Sequence, residues 1–201
     1  MKNMIKDALI LFAITIIAGL LLGVVYDVTK EPIAEQKQKA KMEACQNVFT
    51  DAATFEAYEF DADAATQVLA EGQLTGMNID EIMQALDASG NLVGYVITVT
   101  DHEGYGGDIQ FSMGVKLDGT LNGISLLSIA ETPGLGMKAE DVIVPQLANK
   151  QVSAFAVTKT GAASDSEIDA ISGATITSKA VINGVNAGLY YFETILVGGN
   201  A

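Results

Sequence analysis

Residues 109–129 read IQFSMGVKLDGTLNGISLLSI. From Ile109 to Leu117 the side chains alternate with a period of two, as in a strand with one buried face. Asp118-Gly119 is a turn dipeptide that tolerates the positive φ of a tight hairpin, and Leu121–Ile129 reads as the return strand. Upstream, Gly90-Asn91 leads into Leu92-Val93-Gly94-Tyr95-Val96-Ile97-Thr98-Val99-Thr100, rich in β-branched residues and expected to pair alongside. Downstream, residues 137–150 are expected to hold a short helix or an irregular segment around Pro145. Val152–Val157 alternates again as a strand should. From Thr177 onward, Val181, Val185, Leu189, Phe192 and Leu196 recur at helical spacing and predict a long C-terminal helix. Residues 51–82 are acidic and alanine-rich and carry no motif. The pattern predicts an α+β fold with a largely antiparallel sheet.

The N-terminus differs in kind. Ala8–Val25 reads ALILFAITIIAGLLLGVV, without a charge and with Thr15 as its one polar residue. Extended by Tyr26, it approaches the ~20 apolar residues that span a bilayer. It exceeds the usual core of a cleaved signal peptide, and no small-x-small cleavage site follows. The segments expected are a cytoplasmic tip at 1–7, a transmembrane helix at 8–26, a stalk helix at 27–49 and a globular domain at 50–201. Pro32 suits the first turn of the stalk helix. Ala18-Gly19 and Gly23 would let another membrane helix approach closely.

Composition limits the chemistry. The 201 residues carry a formal charge of −14, and every basic residue is a lysine. Residues 1–41 hold six lysines against four acids, whereas residues 42–201 hold five against 21. Such a body does not neutralise nucleic-acid phosphates. With no guanidinium, a phosphate ligand has to be held by backbone N–H groups, hydroxyls, lysine or a covalent bond. Cys45 is alone, which excludes an internal disulfide and a cysteine-based metal or iron–sulfur site. The one histidine, His102, lies in a polar, Gly-flanked stretch and reads as a solvated loop residue. Lysines stand on both sides of the apolar run, so counting them leaves orientation open. The acidic body favours the outer face, with a cytoplasmic N-terminus in the cell (inner) membrane.

Three glycine-containing motifs remain. Asp169-Ala170-Ile171-Ser172-Gly173-Ala174-Thr175-Ile176-Thr177-Ser178 lies just before the C-terminal helix. A helix N-terminus offers unpaired N–H groups and a positive dipole end to a phosphate. The same hydroxyl residues also make ordinary N-caps, and the residues alone leave the two readings even. Glu131-Thr132-Pro133-Gly134-Leu135-Gly136-Met137-Lys138 follows a strand, and its Pro-Gly suits a type II turn. Gly104-Tyr105-Gly106-Gly107-Asp108 is a flexible loop with one aromatic residue.

In this order the three motifs resemble those of the FMN-binding domain family. That family includes the G subunit of Rnf complexes and the C subunit of the sodium-pumping NADH:quinone reductase. The resemblance implies an FMN joined covalently, as a phosphoester, to Thr175 by a flavin transferase of the ApbE type. Asp169, Ser172, Gly173 and Ala174 would be the transferase's recognition string. Thr177 and Ser178 would donate hydrogen bonds to the phosphate. Glu131, Thr132, Gly134 and Leu135 would face the flavin ring, with Gly136, Tyr105 and Gly106 also binding the cofactor and Lys138 at the N1/O2 edge. Where some relatives carry a histidine two positions before the glutamate, this chain has Ile129. The implied function is that of an electron carrier in an ion-translocating ferredoxin:NAD+ oxidoreductase of Rnf type. Its partners would be the other Rnf proteins, integral membrane subunits among them. The alternatives are the corresponding component of the quinone reductase and an anchored binding module without a cofactor.

Overall fold

The structure is a computed structural model and describes residues 2–198. Residue 1 and residues 199–201, at the ends of the expected first and last segments, lie outside the described residues. The chain divides into two compact units, Met1–Ala40 and the remainder from Lys41 onward.

The first element is a single helix, α1 (Lys2–Val48), which covers the apolar run and almost all of the expected stalk. Pro32 therefore lies inside a helix rather than in a first turn. Proline there removes the hydrogen bond to the Val28 carbonyl, which typically costs about 3 kcal/mol or more. The stretch of good helix formers at residues 34–44, AEQKQKAKMEA, carries the helix on beyond Pro32. Thr29 donates its hydroxyl to the Val25 carbonyl at 2.8 Å. The apolar part is exposed along its length and is long and apolar enough to cross a membrane.

The second unit is built on a five-stranded antiparallel meander. Its strands are β1 (Thr54–Tyr58), β2 (Met77–Leu86), β3 (Leu92–Asp101), β4 (Ile109–Lys116) and β5 (Leu121–Ile129), in that spatial order. The β4–β5 hairpin closes as the Asp118-Gly119 pair demands. Gly119 has φ of 84°, and the Lys116 N–H donates to the Thr120 carbonyl at 2.9 Å. Between β1 and β2 lies α2 (Ala62–Glu71), capped by Asp61, whose carboxylate accepts from the Asp63 and Ala64 N–H groups. After β5 come a 3-10 turn (Gly136–Lys138), α3 (Ala139–Val142) and α4 (Val144–Leu147), with Pro145 in the first turn of α4. A small parallel pair follows, β6 (Ala156–Thr158) and β7 (Glu167–Asp169). The expected strand over Val152–Val157 is thus shorter and shifted, with only Ala156 and Val157 in common. The last helix, α5 (Thr175–Tyr191), continues as π-helix through Val197.

Helices α2 and α5 pack on one face of the sheet. The five residues of the predicted C-terminal stripe are all buried there, in one core with Ile97, Val99, Phe111 and Met113. Each such side chain stabilises the fold by roughly 1.5–3 kcal/mol through removal from water. Gly184 faces the Phe111 ring and Gly188 faces Met113, so α5 lies close to the strands. The opposite face carries a smaller core of Cys45, Val48, Phe49, Ala52, Ala85 and Val96. Strand β3 is buried on both sides almost throughout, which explains its near-continuous apolar sequence. The two-layer packing aims the N-terminus of α5 at the loops leaving β3 and β5.

Candidate functional site

Those loops and that helix end enclose a cavity of about 500 Å³. This lies within the roughly 300–1,000 Å³ usual for small-molecule sites. Its lining comes from all three motifs: Tyr105 from the first loop, Glu131, Thr132, Leu135 and Gly136 from the second, and Gly173–Thr177 from the third.

The Glu131 loop is shaped by its own turn. The Leu135 N–H donates to the Thr132 carbonyl at 3.1 Å across Pro133-Gly134, and Gly134 has the positive φ, 78°, that a type II turn requires at that position. Glu131 is buried, and its Oε1 accepts the Gly106 N–H at 3.2 Å, tying the first loop to the second. Gly136 is wedged between Glu131 and Thr177. A methyl group there would stand 2.7 Å from Glu131 Cβ and 2.7 Å from Thr177 Oγ1.

The third motif is anchored from both sides. Ser178 is fully buried; its Oγ accepts the Ile171 N–H at 2.9 Å and donates to the Ala174 carbonyl at 2.8 Å. Gly173 has φ of 79° and packs on Leu135. Helix α5 then starts at Thr175, with Ala174 in the cap position and no side-chain cap. The run of hydroxyls does not act as an N-cap here, so the capping reading of that motif does not hold. The N–H groups of Thr175, Ile176 and Thr177 lack intrahelical acceptors by helix geometry. All three residues line the cavity.

The sequence-predicted residues do not all meet there. Tyr105, Glu131, Thr132, Leu135, Gly136, Gly173, Ala174, Thr175 and Thr177 line the cavity, whereas Gly106, Gly134, Lys138, Asp169, Ser172 and Ser178 do not. Lys138 and Ser172 are exposed. The Ser178 hydroxyl proton is committed to Ala174. Ile176, half-exposed at 53%, lines the cavity although the motif gives it no role; its place directly after Thr175 was the available signal. His102 sits in an exposed loop between Asp108 Oδ1 and Asn78 Nδ2, without a nucleophilic hydroxyl among these partners. Burial pushes the Cys45 thiol up to about 11, so it stays protonated and unreactive.

The chemistry of the cavity is distinctive. Among the described residues, Glu131 is its one charged lining residue, and it is acidic. The α5 N-terminus is therefore the positive end of the site. A dipole of this kind contributes about 0.3–1 kcal/mol toward a nearby anion, in addition to hydrogen bonds from the free N–H groups. The walls, Tyr105, Leu135 and Ile176, suit a flat apolar ring.

Comparison with known proteins agrees with this geometry. A family model described as the FMN-binding domain matches residues 104–190, which contain all three motifs. A second, described as the RnfG N-terminal region, matches residues 1–48. The G subunit of the Na(+)-translocating ferredoxin:NAD(+) oxidoreductase complex of Acetobacterium woodii is 34% identical, over 96% of this chain and 94% of that one. The chain belongs to the RnfG family. Another relative, the G subunit of the proton-translocating ferredoxin:NAD(+) oxidoreductase complex of Clostridium ljungdahlii, is 31% identical over 96% of this chain and 97% of that one. The RnfG relative of Methanosarcina acetivorans, from an ion-translocating oxidoreductase complex, is 30% identical over 94% and 95%. A crystal structure of NqrC from Shewanella oneidensis aligns with a TM-score of 0.48 at 24% identity, over 57% of this chain and 58% of that one.

Proposed function

We propose that this chain is a membrane-anchored electron carrier holding FMN as a phosphoester on Thr175. It would serve in an Rnf-type complex that couples ferredoxin:NAD+ oxidoreduction to ion movement. One observation carries the reading. Thr175 is the first residue of an uncapped helix, lines the cavity, and has no cationic side chain beside it among the described lining residues. A covalent tether would hold a flavin nucleotide in such a site without a cationic clamp, and the helix N-terminus would then stabilise the ester's remaining charge. The carrier role follows the printed names of the RnfG relatives.

Attachment balances as a transfer from FAD. The Thr175 hydroxyl oxygen bonds to the FMN-side phosphorus, the pyrophosphate bond breaks, AMP leaves and the hydroxyl proton passes to a base of the ApbE-type transferase. When bound, the flavin supplies one- and two-electron chemistry that no side chain here can perform. The protein's own residues do the rest. Leu135, Ile176 and Tyr105 would offer their apolar surfaces to the ring. The amides of Thr175, Ile176 and Thr177 and the Thr177 hydroxyl would hold the phosphate, while Ser178 holds the loop in shape. Glu131 holds the Gly106 amide. The partners are the other Rnf proteins, integral membrane subunits among them. Residues 8–26 would span the membrane and the expected 27–49 stalk would follow, its end from Cys45 packed into the core of the second unit, with the domain facing away from the cytoplasm.

The test uses the full chain co-expressed with a flavin transferase and run on a denaturing gel. The expected result is a yellow-fluorescent band that disappears in Thr175→Ala. Fluorescence surviving that substitution would move the attachment elsewhere. An intact mass equal to the bare polypeptide would overturn the covalent reading and favour the cofactor-free binding module.

A further inference from the structure

The loop that carries Thr175 begins at the end of β7, and one edge of that strand pairs with no other strand among the described residues. On its paired edge β7 runs parallel to β6, with Thr158 opposite Asp169, and the Ala170 N–H donates to the Thr158 carbonyl at 2.8 Å. On the other edge stands the Gln146 amide. Its Oε1 accepts the Asp169 N–H at 2.8 Å, and its Nε2 donates to the Asp169 carbonyl at 3.2 Å. The remaining Nε2 proton goes to the Val142 carbonyl at 2.5 Å. Turned over, the amide would set donors against the Asp169 N–H, so its orientation is fixed by its partners. Gln146 is carried by α4, which is held by the fully buried Ile143 and Leu147 on either side of it.

We propose that Gln146 positions the attachment loop for the transferase, acting as a one-residue strand on the open edge of β7. The proposal rests on the reading of Thr175 as the attachment site. The loop has two independent holds: Ser178 grips Ile171 and Ala174 from within α5, and Gln146 grips Asp169 from a separate element. Asp169 opens the recognition string, six residues before Thr175. With Gln146 in place, the Asp169 backbone is fixed on both edges and its half-buried side chain is presented in one geometry. Without it, the strand end frays while Ile168 stays buried in the core. Gln146 does not line the cavity, so it acts through Asp169 rather than on the flavin.

The experiment measures the initial rate of flavin attachment to the detergent-extracted full chain, with purified flavin transferase and FAD. Gln146→Met keeps the length of the side chain and removes all three hydrogen bonds. It is expected to slow attachment about tenfold, the size of one to two ordinary hydrogen bonds, with the helical circular dichroism unchanged. If Met at this position loses the fold, Gln146→Glu carries the same comparison, since it keeps the acceptor for Asp169 N–H and loses both donors. The decisive readout is a double-mutant cycle with Asp169→Asn. Action through Asp169 predicts that the two losses together are smaller than their product. Full multiplication of the losses, or a wild-type rate in the single Gln146 variant, would overturn the proposal. A wild-type chain that takes no flavin at all would instead overturn the attachment reading.

Discussion

At the scale of single residues, the clearest conflict lies beneath the site rather than in it. Asp101 ends β3 with no exposed surface; its Oδ1 accepts the Glu103 N–H at 2.7 Å, and its Oδ2 has no hydrogen-bond partner among the described residues. Burial pushes its carboxyl up to about 6. The Glu103 amide opposes this, while the charges of Glu103 and Asp108 add to it and His102 opposes it. The folded chain therefore keeps a proton that the unfolded chain releases from the ordinary value of 3.8 upward. Stability from this group falls as pH rises from about 4 to about 6 and stays low above that. Asp101→Asn retains an acceptor for Glu103 and removes the charge. Its melting temperature should exceed that of the wild type at pH 7.5, and the gap should narrow at pH 4. An equal gap at both pH values would contradict this account. Nothing in the local sequence marks Asp101 or Gln146, because their roles depend on elements that meet only after folding. The loops of Thr175 and Glu131 were legible as turns from their local residue types, whereas the roles expected of the two residues came from the family resemblance.

At the scale of elements, the end of α1 is an integral part of the second unit. Phe49 is buried over Gly94 of β3 and Gly114 of β4, where any larger residue would collide with its ring. Asn122 adds a hydrogen bond to the Val48 carbonyl at 2.9 Å, and Lys41 pairs with Glu81 at 2.6 Å. Phe49→Ala would open a hole that two strand glycines cannot fill. It should cost about 3–5 kcal/mol, measured by denaturant unfolding of the detergent-extracted full chain. A loss below about 1 kcal/mol, under the usual range for such a truncation, would mean that this contact contributes little. The central hairpin, β3 and α5 were readable because their buried positions keep a regular period. Strand β2 was not. Its register shifts between Ile79 and Glu81, so Met77, Ile79 and Ile82, buried on one face, follow spacings of two and three, and Ala85 is buried on the other face. A bulge converts a strand period into one that mimics a helix. β1 and α2 were lost with it, since their short apolar patterns make sense only against β2 and α5.

At the scale of the molecule, charge and hydropathy divide the chain. The first 41 residues are slightly basic around an apolar run, and the rest is strongly acidic. That asymmetry supports the proposed orientation, with the acidic unit on the outer face. Alkaline phosphatase fused after residue 201 should therefore be active in intact cells. Activity from a reporter that works only in the cytoplasm would reverse the orientation. The acidic field also disfavours adding negative charge to a flavin in the site, an effect that salt screens.

By itself the sequence determined the apolar helix, the antiparallel centre, the C-terminal stripe and the three loops, since each is written in the period or residue types of a short segment. Tertiary structure alone decided that Pro32 would be overridden, that the hydroxyl run would leave its helix uncapped, that Gln146 would meet Asp169, and that Asp101 would be sealed from water. Those outcomes depend on which groups find partners in distant segments, and a linear pattern does not encode that pairing.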